Sequence, residues 1–469
     1  MAGYRDEPAG AGRATGSSRL SQNLREALAL FLLPGTGIRR WILLGASGGL
    51  VFALGVGYLV RFFSSVAIPN FLPGAGEAIL FLVAATVAIG TASGKLMTMV
   101  SSARVASLPE ESLRDSMVRI RERARAPRFV ALGGGTGLAA LLRGLKEQTM
   151  LTGIVTVADD GGSSGRLRDE LGLLPPGDIR NCIVALADAE PLMKDLFQYR
   201  FPEGTGLAGH SFGNLFIAAM SGVTGSFEDA VTESSRILNV HGRIVPSTLD
   251  NVRLAADMSH GKRVRGETNI TLTEGSIEHV FLEPEAPAMY EGASSAIKSA
   301  QMIIVGPGSL YTSIIPNLLV PGLTKAISDS GAPVVYICNV ASQPGETDNY
   351  TVADHVKAII SHCPDLNIDY VIANSDMSDL HASHNTAHVE LGDMSGLDVS
   401  VVETDLLAMD FRTHHDSRKL ANAIMAVYHE SVDRNGRQSD RFVRNGRSGN
   451  GAGEASGNES KSSSGALSN

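Results

Sequence analysis

Residues 157–167 read VADDGGSSGRL. A predicted strand, TGIVTVA (Thr152–Ala158), runs straight into Asp159 and Asp160, then Gly161, Gly162, Ser163, Ser164 and Gly165. Upstream the same event occurs: the apolar run RFVAL (Arg128–Leu132) empties into GGGTGL, which is Gly133, Gly134, Gly135, Thr136, Gly137 and Leu138. Two consecutive strands that end in glycine-rich turns are expected where the carboxyl ends of parallel strands build a ligand crevice. Glycines let backbone N–H groups approach phosphate oxygens, and a following helix N-terminus adds positive potential. The reading is a nucleotide or phosphosugar site on an α/β sheet.

Outward from this core the alternation continues. Apolar, β-branched runs fall at Gly242–Ser247, Ser276–Leu282, Gln301–Pro307, Pro333–Val340 and Asp369–Asn374. Helical patterns such as LAALLRGLKE, SFEDAVTESSRIL and VADHVKAIISH lie between most of them. Strand–turn–helix repetition predicts an α/β domain with a largely parallel sheet, here over 128–431. From Val432 to the end at 469 the chain turns to Asn, Gly, Ser and Arg, which reads as a disordered tail.

The first 40 residues are Gly/Ser/Arg-rich and are also expected to be disordered. Two charge-free runs follow, Trp41–Val60 and Ala78–Gly94. The first reaches the roughly 20 residues a bilayer crossing needs, and the second sits near the lower limit. Residues 41–95 therefore read as a transmembrane hairpin. Arg13, Arg19, Arg25, Arg39 and Arg40 precede it, Arg61 alone lies between the runs, and Lys95, Arg104 and Arg114 begin a basic stretch after it. The positive-inside rule then places both ends, and the soluble domain, in the cytoplasm. Residues 96–127 read as a charged helical spacer.

The net charge of −9 argues against a nucleic-acid partner. Cys182, Cys338 and Cys363 offer no C-x-x-C pair, so neither a disulfide framework nor a cysteine zinc site is expected. His381, His384 and His388 could share a helix face, but no carboxylate accompanies them as a metal ligand.

The glycine turn after the first strand departs from the dinucleotide fingerprint, because Leu138 stands where its last glycine belongs, and no Walker lysine follows. Asp159 and Asp160 could hold a ribose hydroxyl, or Mg²⁺ with a nucleoside diphosphate, since Mg²⁺ needs only one or two protein carboxylates. Ser163, Ser164 and the backbone of Gly161 and Gly162 are candidate phosphate donors, with Arg166 as counter-charge. PPGDIRN puts Asp178, Arg180 and Asn181 at the mouth of a helix, and GHSFGN does the same for His210, Ser211 and Asn214. GPGSLYTS (Gly306–Ser313) closes another strand and offers Gly306, Gly308, Ser309, Thr312 and Ser313 beside a helix start.

Taken in order, GGGTGL, VTVADDGGSSGRLR, PPGDIRNCIVAL, GLAGHSFGNLF, GRIVPST, GPGSLYTSIIPNLLV and YICNVASQPGET resemble the CofD-like superfamily, and within it the bacterial YvcK-type gluconeogenesis factors. The family's late HDP-x-KLA motif stands here as His415–Ala421, with Ser417 in place of the proline. The resemblance implies a Rossmann-like, three-layer α/β fold that binds a nucleotide sugar, UDP-N-acetylglucosamine, and regulates carbon flux into cell-wall precursors and cell shape. It implies a protein partner in that synthesis and leaves room for a homodimer. The other branch holds enzymes that transfer 2-phospho-L-lactate to a deazaflavin precursor with a nucleoside-diphosphate donor and Mg²⁺, and Asp160 falls where they carry a substrate-binding acidic residue. The GGSSGRLR loop and GHSFGN favour the regulator. Relatives of this type are commonly soluble, so the hairpin, and with it the lipid bilayer as a partner, reads as an addition. An NAD-dependent oxidoreductase ranks last, for want of the third glycine.

Overall fold

The computed structural model describes residues 38–63, 76–106, 125–189, 191–202, 204, 206–380 and 386–448. The chain divides into two compact units, Met1–Ala126 and Pro127–Asn469.

The first unit is built on helices Ile38–Phe63 and Gly76–Ala106. Within them Arg40–Val60 and Ala78–Lys95 are long and apolar enough to cross a membrane. The helices meet through small side chains. Ala78, Ala85 and Ala92, spaced one heptad apart, are buried, and a Cβ on Gly48 or Gly55 would press on Ile89 or Leu82. The hydroxyls of Thr86 and Thr91 donate back to the carbonyls of Leu82 and Val87, which spares them from needing water. The spacer predicted over 96–127 starts inside the second helix; most of it, the 64–75 connection and the first 37 residues lie outside the described residues.

The second unit holds a seven-stranded, wholly parallel sheet: β1 (Arg128–Gly133), β2 (Met150–Val155), β3 (Arg243–Pro246), β7 (Met302–Val305), β8 (Val334–Ile337), β9 (Tyr370–Asn374) and β10 (Ser400–Thr404). The spatial order is β10-β9-β8-β7-β1-β2-β3. Every residue of β7, β8 and β9 is buried, as central parallel strands covered on both faces must be. The α/β, Rossmann-like fold is thus as the alternation predicts.

Three details differ from the sequence reading. The run Ser276–Leu282 does not join the parallel sheet. It forms β6 (Ile277–Glu283), which pairs antiparallel with β4 (Arg253–Met258), itself paired with β5 (Arg263–Arg265). Its more exposed His279, Phe281 and Glu283 alternate with buried Val280 and Leu282, a strand wet on one face, which suits an antiparallel sheet. The second strand stops at Val155 rather than Ala158, so Thr156–Ala158 already belong to the turn. The last helix runs unbroken from Ser417 to Ser448, so the stretch from Val432 begins as helix; residues 449–469 lie outside the described residues.

The strand order decides where a ligand can bind. From β1 the chain moves to β2 and β3 on one side, then crosses to β7 on the other. Connections leave β1 and β7 in opposite directions, and between their carboxyl ends a crevice opens.

Candidate functional site

That crevice is a cavity of about 790 Å³, lined by the glycine turns after β1 and β7; of the turn after β2 only Asp159 reaches it. Gly134, Gly135, Thr136 and Gly137 come from the β1 side, and Gly308, Ser309 and Ser313 from the β7 side. The turns touch backbone to backbone: a Cβ on Gly137 would stand 3.0 Å from the carbonyl of Pro307. Gly135 has φ +62°, which favours glycine, and opens the helix Gly135–Leu145 toward the cavity. A helix start exposed this way presents free N–H groups to an anion.

Acids dominate the rest of the lining. Asp159, Asp178 and Glu267 all face the cavity. Asp159 accepts from the Gly161 amide at 2.8 Å, yet burial holds its pKa above the ordinary range. Burial, with Asp159 as neighbour, pushes Asp178 up to about 7, although the Gly135 N–H bonds it. Burial, Asp159, Asp178 and Glu346 push Glu267 up to about 9. Glu346 lies deeper and accepts from Thr312 Oγ1 at 3.0 Å and the Tyr311 amide at 3.3 Å. Several desolvated carboxyls around one space can donate as neutral acids to hydroxyls, or ionise around a cation.

Asp160 is placed otherwise. Its Oδ1 accepts from the amide and the hydroxyl of Thr268, each at 3.0 Å, and it does not line the cavity. In the turn that follows β2, Asp159 faces the crevice, while Asp160 is bonded to the first turn of the helix Glu267–Leu272. The carboxylates that fit a Mg²⁺–diphosphate are therefore Asp159 and Asp178, and Asp160 is a tie between elements.

The remaining predicted residues form a layer behind the cavity. Ser163 Oγ lies 2.9 Å from His210 Nδ1 and accepts from Asn214 Nδ2 at 3.1 Å. Ser211 caps the helix Phe212–Thr224 by accepting from the Asn214 amide. Ser164 Oγ accepts from the Gly177 amide, which locks the DIRN helix (Gly177–Leu186) against the Gly162–Leu171 helix. Gly161 and Gly162 start the latter, and Arg166 donates to the Ala208 carbonyl at 2.6 Å. Gly133 accepts from Asn317 Nδ2, and Gly306 donates to the Leu132 carbonyl. Arg180 is buried and donates to Asn181 Oδ1, while its Nε and Nη1 have no partner among the described residues.

Sequence reasoning missed several cavity residues. Glu267 follows a three-residue strand with no recognisable signal. Asn339 and Gln343 sit in the CNVASQPGET stretch, where Asn339 donates to the Gly308 carbonyl and Gln343 to Ser309 Oγ, fixing the β7 turn. The loop Met409–His415 also lines the cavity, and on its far side a second hollow of about 1210 Å³ carries Arg143 and Arg418. His415 is buried; its Nε2 lies 3.0 Å from the Cys338 carbonyl, and burial holds its pKa down at about 4. His388 Nε2 meets the Ser378 carbonyl, while His381 and His384 lie outside the described residues. No group of three His, Cys, Asp or Glu placed to hold a metal occurs among the described residues.

Residues 129–407 match the family described as 2-phospho-L-lactate transferase CofD. A putative gluconeogenesis factor of Nostoc sp. is 43% identical over 428 residues, covering 85% of this chain and 92% of its own. The gluconeogenesis factor of Bacillus subtilis is 53% identical over 251 residues, which is 53% of this chain and 79% of that protein. A crystal structure of a UPF0052-family protein from Bacillus halodurans aligns with a TM-score of 0.62 at 42% identity, over 64% of this chain and 99% of that one. The Nostoc match covers more than Pro127–Asn469 can supply, so it reaches into the first unit. The motifs, the switch-point crevice and these likenesses agree: the chain belongs to the CofD family, among relatives that bear the name gluconeogenesis factor.

Proposed function

We propose that this protein is a membrane-tethered gluconeogenesis factor that senses a nucleotide sugar, UDP-N-acetylglucosamine, and adjusts carbon flux into cell-wall precursors and cell shape through a protein partner. The observation that carries the reading is the pairing of two surfaces in one crevice. The Gly134–Gly137 turn and its helix start suit a diphosphate, and the protonatable Asp159, Asp178 and Glu267 suit the hydroxyls of a sugar or ribose. His415, the buried imidazole of the lining, is tied to a carbonyl and neutral at physiological pH, which favours binding over proton shuttling. Calorimetric titration with UDP-N-acetylglucosamine, GDP with Mg²⁺, and NAD tests it. Heat only with GDP and Mg²⁺ would overturn it.

A second reading is supported by the family match. Asp159 and Asp178 would hold Mg²⁺, which would neutralise the diphosphate of a 2-phospho-L-lactate donor, while the Gly135 N–H keeps Asp178 in place. Product formation with a deazaflavin acceptor would favour it.

The hairpin reading adds the tether. Large side chains point outward from it and small ones inward, which supports a bilayer around it, and the uneven arginines support a topology with both ends cytoplasmic. A probe cysteine placed between Ser64 and Gly76 should react from outside the cell, and one in the tail should not.

A further inference from the structure

The loop between β10 and the last helix has a fixed base and an unsatisfied tip. At the base, Leu407 pairs with His415, the Ala408 amide donates to the His414 carbonyl at 3.0 Å, and the Asp416 amide donates to the Leu406 carbonyl at 2.8 Å. His415 anchors that base to the Cys338 carbonyl, next to β8. The tip bends back on itself through the His414 amide and the Phe411 carbonyl, and Arg412 is tied to Ser378 Oγ. On this braced turn stand Met409, 82% exposed, and Phe411, 71% exposed. Both line the crevice and also the hollow beside it. Phe411 is the sole Phe, Tyr or Trp among the residues lining either space.

A large apolar ring held in water by a braced loop, at the rim of an otherwise polar crevice, has lost burial that a flat ligand would restore. A nucleotide has one flat, apolar-faced part. Thr136, at the helix start, belongs to both spaces, so a diphosphate on the Gly134–Gly137 turn lies within the reach of the flap. We infer that Phe411 is the stacking platform for the nucleobase, with Met409 closing its edge. The inference rests on the nucleotide reading above and adds the part of the ligand that the acidic crevice leaves unrecognised. Stacking is indifferent to the base's hydrogen-bonding edge, so this flap gives affinity for nucleotides over inorganic diphosphate rather than choice among bases.

The test uses the full chain in detergent micelles. Trp41 is the chain's one tryptophan, so a Trp41→Phe, Phe411→Trp variant reports from the flap alone. UDP and UDP-N-acetylglucosamine should quench its emission, and inorganic pyrophosphate should not. Phe411→Ala should weaken both uridine ligands about tenfold or more, the scale of one base–aromatic stack, and leave pyrophosphate affinity unchanged. Equal weakening of pyrophosphate would make the loop a mere brace and overturn the inference. So would uridine binding that ignores Phe411→Ala, although the nucleotide reading would then stand. A wild-type protein that takes up pyrophosphate but no nucleotide would end both.

Discussion

The two units of this chain are built inside out relative to one another. In Pro127–Asn469 the large side chains face inward: Phe129, Leu132, Ile154, Val305 and Tyr336 are wholly buried. In the hairpin the buried positions among the described residues are Gly48, Gly55, Ala78, Ala85 and Ala92, while Leu43, Leu50, Phe52 and Val83 stand outward. Water drives the first arrangement, because apolar area gains by leaving it. No such gain separates helices in lipid, where small residues permit close backbone approach and leucines face the tails. Two candidate membrane spans fit the second arrangement, and under the proposed tether the two units answer to different solvents; the comparison can be broken at several points.

The largest expected effect lies in the water-shaped core. Val305 sits in β7 between Leu132 and Tyr336 and has no exposed surface. Val305→Asp would bury a carboxylate with no partner, at a cost of several kcal/mol, comparable with the whole stability of a domain. The far-ultraviolet dichroism melt of the second unit should vanish. A cooperative melt would mean that this sheet is far more open than it is drawn here.

Next is the lipid-shaped surface. Leu54 points outward at 48% exposure. In water Leu54→Arg would be close to neutral, but in a bilayer it should cost about 3 kcal/mol of insertion. A membrane-insertion assay reads the difference. Undiminished insertion would place the hairpin in water and collapse the comparison.

The acidic crevice marks a third contrast, a wet site whose acids are nonetheless desolvated. An acid with a raised folded pKa keeps its proton while the unfolded chain has released it. Stability therefore falls as pH rises from about 4, the unfolded value, through about 7 for Asp178 and about 9 for Glu267, and is flat beyond. The second unit should melt several degrees lower at pH 8.5 than at pH 5. Asp178→Asn should lessen the slope below about pH 7, and Glu267→Gln should lessen it throughout and remove it above about pH 7. A melt independent of pH would remove the electrostatic case for the site.

Much of this was legible in the sequence. Continuous apolar runs gave β1, β7, β8 and β9, the first two ending in glycine, because a strand buried on both faces leaves little room for polar residues. The edge strand β10 was missed: SVVET is short, half-exposed and carries Glu403. The glycine turns were legible because backbone that must approach other backbone excludes a Cβ. The flap was not, since Met409 and Phe411 satisfy no local rule and gain their meaning only from the crevice they border. Nor could the chain itself say which of two neighbouring aspartates faces the crevice, because that depends on one residue of register in the turn after β2.

That register supplies the smallest and sharpest test. Asp159 and Asp160 are adjacent, alike in chemistry, and turned to opposite sides. Asp159→Asn replaces a cavity carboxylate and should weaken UDP-N-acetylglucosamine by about 1–3 kcal/mol, the range for a hydrogen bond to a charged or buried group. Asp160→Asn keeps an oxygen that can still accept from the Thr268 amide and hydroxyl, and so trades a charge-assisted tie for a neutral one. Its cost should be about 1 kcal/mol of stability, seen as a small drop in Tm, with ligand affinity unchanged. Calorimetry and a thermal melt on both variants separate the two roles. If Asp160→Asn instead lost the ligand while Asp159→Asn kept it, the turn after β2 would be set one residue out of register, with the crevice facing the other acid.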